Sequence, residues 1–452
     1  MLAKKKRVTI IGAGLTGSLL GLRLGQRGYK VDLFERRRQT SDRSGDSGRS
    51  INLALSRRGI DALKMAGIME VVAPLLIPMK GRMLHMEDGD KEFSPYGQRA
   101  DEVIYSVSRR DLNQLLVTRA VEAPDVNVVF EKKCTSIDFD SSQLTLEDVE
   151  SGKSREISFE LLIGCDGAGS KVRRALMEKT GGRSASDFLD HDYKELEIPA
   201  SATGEWQLEK EALHIWPRGE FMLIALPNLD GSFTVTLFLP KAGTPSFESL
   251  ADEETVDAFF KETFPTARVL MPDWVEDFFG NPTGRLGTVR CQSWHFEDKC
   301  LLLGDAAHAI VPFHGQGMNC AFEDCMELDR LLDAHDDDWG KVNLEFGGSR
   351  KPDADAIAQM AIENYTTMRS TVTDPKYGLK KAIGFELERR LPELFIPRYS
   401  MVMFHDMPYS EALEKGEIQR AILDELAGGI DSIDGVDWEH AKAMVKSRMS
   451  TC

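Results

Sequence analysis

The sequence has no uninterrupted apolar run long enough to cross a bilayer, which predicts a chain without a transmembrane helix. Its seven cysteines are odd in number and lack zinc-finger or C-x-x-C spacing, so we expect reduced intracellular thiols and a cytoplasmic protein. Positive charge is scarce: the net charge of −17 argues against a nucleic-acid groove and against a general attraction to anionic membranes. We find no Ser/His/Asp arrangement and no cluster of metal ligands, so neither a catalytic side chain nor a metal site is predicted.

The chain is organised around residues 7–36. A short β-branched run at 8–11 is typical of a buried parallel strand, and Gly12, Gly14 and Gly17 follow it in the spacing G-x-G-x-x-G. A helical stretch and a second strand come next, and the second strand ends at Glu35. In such a unit the glycines allow a tight turn, the approach of a pyrophosphate and close helix–strand packing, while the helix N-terminus attracts phosphates. With Glu35 as an acceptor for ribose hydroxyls, the sequence predicts a dinucleotide site.

Two later motifs change this prediction from a dinucleotide in general to a flavin. Asp166 follows a buried strand in the stretch GCDGAGSKVR, and Asp305 follows another in GDAAH. Asp305 can hydrogen-bond a sugar-alcohol hydroxyl, and the helix that begins near Met318 can direct N–H groups at a reduced, anionic flavin ring. Each motif alone fits an ordinary turn. Three motifs in this order, each at a strand end, favour FAD.

The expected fold class is an α/β Rossmann-like FAD-binding domain interleaved with an antiparallel-sheet substrate domain, plus a C-terminal helical region. The sheet is predicted from alternating strands at 193–198, 213–216, 221–226 and 232–239. We expect one strand each at 79–86 and 157–163, a solvated loop containing the acidic run 336–338 and the glycines 347–348, and helices after 353. The expected boundaries are 1–75, 100–190 and 285–333 for the FAD-binding domain, 76–99 and 191–284 for the substrate domain, and 350–452 for the helical region.

The three motifs together resemble the FAD-dependent aromatic hydroxylases of the p-hydroxybenzoate hydroxylase type. No second G-x-G-x-x-G unit is present, which is similar to that family, where NADPH visits the flavin without a Rossmann domain of its own. Further strings resemble the kynurenine 3-monooxygenase family, and they are GRSINLALSRRG (48–59), PYG (95–97), SVSR (106–109), LHIWPRG (213–219), LLGDAAHAIVPFHGQGMN (302–319) and FIPRYSMV (395–402). The polar C-terminal stretch KSRMSTC is similar to the soluble bacterial type, without a membrane anchor.

This resemblance implies an activity and its partners. The family hydroxylates L-kynurenine to 3-hydroxykynurenine with bound FAD and with NADPH and O2 as co-substrates, through a C4a-hydroperoxyflavin. In the family this reaction is part of tryptophan catabolism and pyridine nucleotide biosynthesis, and the sequence leaves open whether the product of this chain feeds either of these pathways or a secondary-metabolite route. Because the flavin supplies the chemistry, the protein has to orient the substrate and exclude water. The sequence does not determine the oligomeric state, and a homodimer is kept as a hypothesis.

The resemblance also assigns the substrate-binding residues. Arg82, in KGRMLHM, corresponds to the arginine that holds the substrate carboxylate, for which its planar fork is suited; taken alone, it is better explained as a solvated arginine. The other residues that the family implies at the amino-acid end and the aromatic-ring pocket are Tyr96, Asn364, Tyr399, Leu213, Met222, Ile224, Leu226, Phe238, Pro312 and Phe313. Met368 is added because it follows Asn364 by four residues in a predicted helical stretch, so both can face one site. Taken alone, the apolar members are better explained as plain core. His314 precedes a glycine-rich turn and is given no role.

For the cofactor, the motifs and the resemblance together predict a second set of residues. These are Gly12, Gly14, Thr16, Gly17, Glu35, Arg36, Arg37, Ala54, Arg109, Cys134, Asp166, Asp305, Gly317, Met318 and Asn319.

Two alternatives stay open. A related FAD-dependent hydroxylase of another aromatic, such as a phenol or salicylate, would not depend on the amino-acid carboxylate. A non-catalytic flavoprotein, acting as a redox sensor or a partner-binding module, would hold FAD without substrate-stimulated NADPH oxidation.

Overall fold

The structure is a computed structural model, and it describes residues 5–39 and 52–450. Residues 48–51 of the string GRSINLALSRRG and Cys452 lie outside the described residues. The chain divides into two compact units. The first falls within Met1–Leu76, Val107–Phe188 and Gly287–Asp355, and the second within Ile77–Ser106, Leu189–Leu286 and Ala356–Cys452. The domain boundaries expected from the sequence stay predictions.

The strands, in chain order, are β1 Arg7–Ile11, β2 Lys30–Phe34, β3 Asn52–Leu55, β4 Ile77–Met79, β5 Gly81–His85, β6 Lys91–Pro95, β7 Ile104–Ser108, β8 Val126–Val129, β9 Lys132–Asp138, β10 Gln143–Asp148, β11 Ser154–Ser158, β12 Leu161–Gly164, β13 Ser184–Ile198, β14 Ala212–Arg218, β15 Phe221–Pro227, β16 Phe233–Pro240, β17 Thr283–Cys291, β18 His295–Phe296 and β19 Cys300–Leu302. The α-helices are α1 Leu15–Gln26, α2 Arg57–Met65, α3 Met69–Val72, α4 Arg109–Glu122, α5 Lys171–Thr180, α6 Glu253–Thr263, α7 Pro265–Arg268, α8 Trp274–Gly280, α9 Asp305–His308, α10 Gly317–Ala334, α11 Trp339–Arg369, α12 Pro375–Arg390, α13 Arg398–Phe404, α14 Tyr409–Leu426 and α15 Trp438–Met449.

The first unit is built on a six-stranded sheet with the order β18-β19-β12-β1-β2-β8. All its pairs are parallel except the short edge pair β18–β19. Its central strands are apolar along their length, and Val8, Ile10, Leu33 and Leu162 are at most 1% exposed. Strands buried on both faces read as continuous apolar runs in this way. The predicted Rossmann-like sheet is confirmed.

The second unit is built on a seven-stranded sheet with the order β17-β13-β16-β15-β14-β5-β6. Its described pairs are antiparallel, as predicted, except that β14 runs parallel to β5. One face packs on α6–α8 through residues such as Trp216, Leu223, Leu237, Phe260 and Trp274. The alternation along the strands therefore leaves the other face for different neighbours.

The C-terminal helices of the second unit have their own apolar cluster, in which Ile383, Leu387, Phe395, Ile422 and Val445 are fully buried. The helical character expected after residue 353 is confirmed. No described helix is long and apolar enough to span a membrane. The six cysteines within the described ranges are buried and form no disulfide.

The prediction of a loop around 336–348 is wrong for the second half of this stretch. Helix α11 begins at Trp339 and runs through Gly347, Gly348 and Pro352. Glycine and proline are poor helix formers, so local propensity favours the loop. The helix forms because Trp339, Val342 and Phe346 along its first turns are nearly or fully buried, and tertiary packing overrides the weak propensity.

Two expected strands are each divided in the structure. The stretch 79–86 is divided at Lys80 between β4 and β5, which pair with different strands. The stretch 157–163 is divided between the hairpin strand β11 and the buried parallel strand β12. Apolar continuity along the sequence does not reveal where a chain changes sheets.

A buried histidine pair stands on the packed face of the second unit's sheet. The Nε2 atom of His85 lies 2.9 Å from Nδ1 of His214, and the His85 ring stacks on Trp216 at a centroid distance of 4.0 Å. Burial lowers the pKa of His85 to about 3 and that of His214 to about 4. Both rings are therefore neutral near pH 7, so one of the facing nitrogens can accept the bond that the other donates.

We expect acid to weaken this unit through the two histidines. A histidine whose pKa is lower in the folded state than its unfolded value contributes stability that is complete above about pH 6.5 and is lost as the pH falls toward 4. At pH 5 each group costs about 2 kcal/mol relative to pH 7. The variant His85→Phe lacks one of them, so its thermal midpoint should fall less than that of the native chain between pH 7 and pH 5. If the thermal midpoint of His85→Phe fell as much as that of the native chain over this pH range, or more, this assignment would be contradicted.

Candidate functional site

The glycine-rich turn between β1 and α1 is closed so tightly that side chains cannot enter it. Gly12 has φ +103°, and a Cβ built there would lie 2.3 Å from the Cys165 carbonyl oxygen. A Cβ at Gly17 would lie 1.9 Å from the carbonyl oxygen of Gly12. Gly14 differs, because no described atom beyond its own chain neighbours lies within 4 Å of a Cβ built on it. The open space beside Gly14 is where the sequence predicts that a pyrophosphate approaches the backbone.

The N-terminus of α1 follows this turn, and α1 contributes no carboxylate that would compete with a bound phosphate for its N–H groups. Gly14 is the N-cap, no side chain caps the helix, and its first turn contains no acidic residue. Uncapped backbone N–H groups and the positive end of the helix dipole suit a phosphate. These features fit the pyrophosphate of FAD.

Glu35 stands at the end of β2 as predicted, and it has a second structural task. Its Oε2 accepts a hydrogen bond from the Ala13 amide at 2.9 Å, and its Oε1 accepts from the amide and Nε of Arg37, both at 3.0 Å. Burial opposes ionisation of Glu35, but these donors lower its pKa below the ordinary value. The carboxylate therefore stays anionic and fixes the glycine turn, a task that the sequence does not reveal.

Asp166 caps the helix that follows it. Its carboxylate accepts hydrogen bonds from the Ser170 hydroxyl at 2.5 Å and from the amides of Lys171 and Val172 at 2.6 and 3.3 Å. Burial raises its pKa above the ordinary value. Cys134 on β9 is 8% exposed, and burial raises the pKa of its thiol to about 12, so it is not a reactive thiolate. Both residues lie in the first unit, and their contact with FAD stays a prediction.

The second flavin motif lies at the C-terminal end of β19. Gly304 adopts φ +57°, and a Cβ there would lie 2.8 Å from the Thr16 hydroxyl oxygen, so this turn lies beside Thr16, a residue of the predicted cofactor set. Asp305 is the first residue of α9 and its side chain is exposed. Helix α10 begins at Gly317 without a side-chain cap or an acidic residue in its first turn. These uncapped N–H groups fit the predicted role beside a negatively charged flavin ring.

Asn319 uses its side chain inside the protein. Its Oδ1 accepts from the Ser56 amide at 2.9 Å, and its Nδ2 donates to the carbonyls of Ala54 and Gly315, both at 2.8 Å. A predicted contact of Asn319 with the cofactor would therefore use its backbone. The remaining predicted residues of the first unit include two buried apolar side chains, Met318 and Phe313, and the exposed side chains of Arg36, Arg37, Arg109 and Pro312.

In the second unit, the predicted pocket residues that lie on strands share the sheet face opposite the packed one. Arg82 pairs in register with Leu213, and Met222 pairs with Phe238. Ile224 and Leu226 alternate with Met222 along β15 and so point the same way. Their sequence neighbours Leu223, Ala225 and Leu237 belong to the cluster on the other face. The strand periodicity thus separates a candidate pocket wall from ordinary core.

Arg82 is the most unusual charged residue of this face. It is only 7% exposed, yet no aspartate or glutamate within the described residues forms an ion pair with it. Its guanidinium carbon lies 5.0 Å from the ring centre of Tyr399 and 5.8 Å from that of Tyr96, and these rings stack at 5.5 Å. Burial raises the pKa of both phenols, so neither supplies a negative charge near pH 7. A buried cation without a carboxylate is costly unless a ligand supplies one.

A second cation, which sequence reasoning missed, stands beside Arg82. Lys381 donates to the Ser94 hydroxyl and to the Pro95 carbonyl, both at 2.6 Å, and Ser94 pairs in register with Arg82. Burial, reinforced by the charge of Arg82, lowers the pKa of Lys381 to about 8. Nothing in the surrounding stretch KYGLKKA distinguishes this lysine from its neighbours.

Asn364 and Met368 lie on one side of α11, as their spacing predicts. The Asn364 Nδ2 atom is 3.4 Å from the Met368 sulfur, and the two residues are 9% and 3% exposed. Ten of the twelve predicted substrate residues belong to the second unit, whereas Pro312 and Phe313 belong to the first. Their binding roles stay predictions.

Comparisons with known proteins give the chain a family. The family described as FAD binding domain matches residues 5–355. The chain is 45% identical over 448 residues to kynurenine 3-monooxygenase of Myxococcus xanthus (strain DK1622), covering 99% of this chain and 96% of the relative. It is 44% identical over 440 residues to kynurenine 3-monooxygenase of Legionella pneumophila (strain Lens), covering 97% of each.

Solved structures support the fold. The crystal structure of 2-methyl-3-hydroxypyridine-5-carboxylic acid oxygenase superposes with a TM-score of 0.67 at 19% identity, covering 82% of this chain and 95% of that one. PqsL of P. aeruginosa in complex with 2-aminobenzoylacetate superposes with a TM-score of 0.64 at 19% identity, covering 81% and 97%. The uncapped helix ends, the glycine turn and the anionic Glu35 fit the FAD that these sequence matches imply. The chain therefore belongs to the kynurenine 3-monooxygenase family of FAD-dependent enzymes.

Proposed function

We propose that this protein hydroxylates L-kynurenine at ring carbon 3, giving 3-hydroxykynurenine, with bound FAD and with NADPH and O2 as co-substrates. The observation that carries the proposal is the buried Arg82, which has no acidic partner within the described residues and is flanked by Tyr96 and Tyr399. L-Kynurenine has a carboxylate at one end and an aromatic ring at the other. A forked guanidinium binds such a planar anion through two parallel hydrogen bonds.

The rest of the proposed site follows from the same sheet face. Leu213, Met222, Ile224, Leu226 and Phe238 offer an apolar wall for the aromatic ring, and burial of this ring would exclude water. The tyrosines and Lys381 would stabilise the carboxylate end together with Arg82. When bound, FAD supplies the hydride acceptor and the site of oxygen activation. The protein's own residues then have to hold the ring in one orientation, for which no nucleophile or general base is needed.

The decisive experiment combines the purified yellow protein with L-kynurenine, NADPH and O2. We expect substrate-stimulated NADPH oxidation and a product heavier than L-kynurenine by one oxygen atom in mass spectrometry. The amine that lacks only the carboxylate of L-kynurenine is the matched control, and it should stimulate NADPH oxidation far less. Equal turnover of this amine, phenol or salicylate would favour a hydroxylase of another aromatic. Bound FAD without any stimulated turnover would favour a non-catalytic flavoprotein.

Two further predictions concern the location of the protein in the cell and its oligomeric state. A cytoplasmic location follows from the cysteine usage and the charge of the sequence, and fractionation of the native host checks it. The hypothesis of a homodimer is tested by sedimentation equilibrium of the FAD-loaded protein.

A further inference from the structure

A buried cluster of charges lies directly behind the second flavin motif in the first unit. Asp324 on α10 is fully buried, and its Oδ2 accepts a hydrogen bond from the Gly304 amide at 2.9 Å. The same oxygen lies 2.6 Å from Nε2 of His308, the last residue of α9. The carboxylate therefore clamps both ends of the turn that carries Asp305.

The other oxygen of Asp324 holds the cluster to α11. Arg350 donates from Nε to Oδ1 of Asp324 at 2.9 Å and from Nη2 to the Cys320 carbonyl at 3.2 Å. A second carboxylate, Glu323, contacts Arg350 at 2.8 Å and Arg58 at 3.0 Å. His308, Arg350 and Arg58 are at most 5% exposed. Buried charges persist when they are paired and hydrogen-bonded in this way.

His308, Cys320 and Asp324 bring their ligand atoms within 4.8 Å of one another, which is also the composition of a metal site. Arg350 already supplies the cation there, because its Nη2 lies 3.4 Å from the Cys320 sulfur and its Nε contacts Asp324. Burial acts to lower the pKa of His308, but Asp324 and Cys320 raise it well above the ordinary value, so the ring is an imidazolium that donates to Asp324. The cluster is an ion-pair network.

We propose that Asp324 is a positioning residue of the FAD site: by clamping Gly304 and His308 it sets the turn that presents Asp305, before FAD binds. Asp305 in this turn and Thr16, which lies beside Gly304, both belong to the predicted cofactor set, so a displaced turn disturbs two predicted contacts at once. The inference rests on FAD binding by this family and is independent of the identity of the aromatic substrate.

The variant Asp324→Asn tests the role in solution. An amide has one acceptor oxygen where the carboxylate has two, so the three donors from Gly304, His308 and Arg350 cannot all be satisfied. We expect the dissociation constant of FAD, measured by quenching of flavin fluorescence on the apoprotein, to rise about tenfold or more, as is typical when a residue that orients a ligand-binding group is lost. Once the enzyme is saturated with FAD, the KM for L-kynurenine should stay within about twofold.

Asp329→Asn is the matched control. Asp329 stands on the same helix, is 8% exposed and pairs with Arg23 and Arg27, and within the described residues its carboxylate forms no hydrogen bond or ion pair with the turn. We expect this variant to lower the thermal midpoint and to leave FAD affinity unchanged. If both variants change FAD affinity equally, or if Asp324→Asn leaves it unchanged, Asp324 is a purely structural residue and the proposal fails.

A measurement on the native protein keeps the proposal testable if Asp324→Asn does not fold. Hydrogen exchange of the stretch 303–309, followed by mass spectrometry, should show the Gly304 turn already protected in the apoprotein and little changed by FAD. A turn that gains its protection only when FAD is added would overturn the claim that Asp324 sets it in advance.

Discussion

Replacing Arg82 by alanine is expected to raise the KM for L-kynurenine between about thirtyfold and several thousandfold. Losing one partner of a buried, charge-assisted pair costs about 2–5 kcal/mol, and each 1.4 kcal/mol is about a factor of ten in affinity. The loss is large because Arg82 is 7% exposed, so water cannot replace it at the substrate carboxylate. Steady-state NADPH oxidation over a range of L-kynurenine concentrations gives the KM and separates it from kcat.

Two matched variants show whether the effect belongs to the guanidinium. Lys80→Ala removes an exposed cation two residues earlier, whose partner is Glu211, and should leave the KM unchanged. Arg82→Lys keeps the charge but loses the planar fork, so its KM should lie between those of the native protein and the alanine variant. FAD content should be equal in all three, because the predicted FAD residues belong to the first unit. An unchanged KM in Arg82→Ala would remove Arg82 from the site.

Gly17→Ala is expected to have the largest effect on the protein itself. The new Cβ would lie 1.9 Å from the carbonyl oxygen of Gly12, which is backbone and cannot rotate away. Such overpacking costs about 3 kcal/mol or more, so we expect little soluble protein and no retained FAD. Soluble yield, thermal midpoint and the flavin absorbance of the purified protein measure these losses.

Gly14→Ala is the matched variant in the same turn, and its expected result differs. Gly14 has an ordinary φ of −71°, and, apart from its chain neighbours, nothing in the described protein lies within 4 Å of its Cβ position. We therefore expect the apoprotein to keep its thermal midpoint, whereas FAD binds more weakly because the methyl group occupies the approach of the pyrophosphate. Native FAD affinity in Gly14→Ala would show that the pyrophosphate does not pass over this residue.

Much of the fold could be predicted because its signals are local. The alternation in β14, β15 and β16 is readable within a few residues, and it is confirmed. The signal for the start of α11 is not local. Its glycines favour a loop, and only the burial of Trp339, Val342 and Phe346 makes the helix stable. The same limit explains why β4 and β5 read as one strand.

For the candidate site, the resemblance identified the residues, but the sequence did not show whether they are buried or which residues they contact. Taken alone, Arg82 reads as a solvated arginine and Met222 as plain core. The register of β5, β14, β15 and β16 places them on one sheet face, away from the cluster around Trp216. Lys381 carried no signal at all, since its proximity to Arg82 depends on α12 packing beside β6.

The sequence by itself determined the dinucleotide turn, because the strand, the glycines, the helix start and Glu35 are contiguous and their roles depend on backbone geometry within about thirty residues. Only the tertiary structure decided that Arg82 is buried between Tyr96 and Tyr399 with no acidic partner in the part of the chain that the structure describes, and that Asp324 clamps Gly304. These contacts join residues far apart in the chain. Burial and pairing are properties of the packed interior, so no local pattern encodes them.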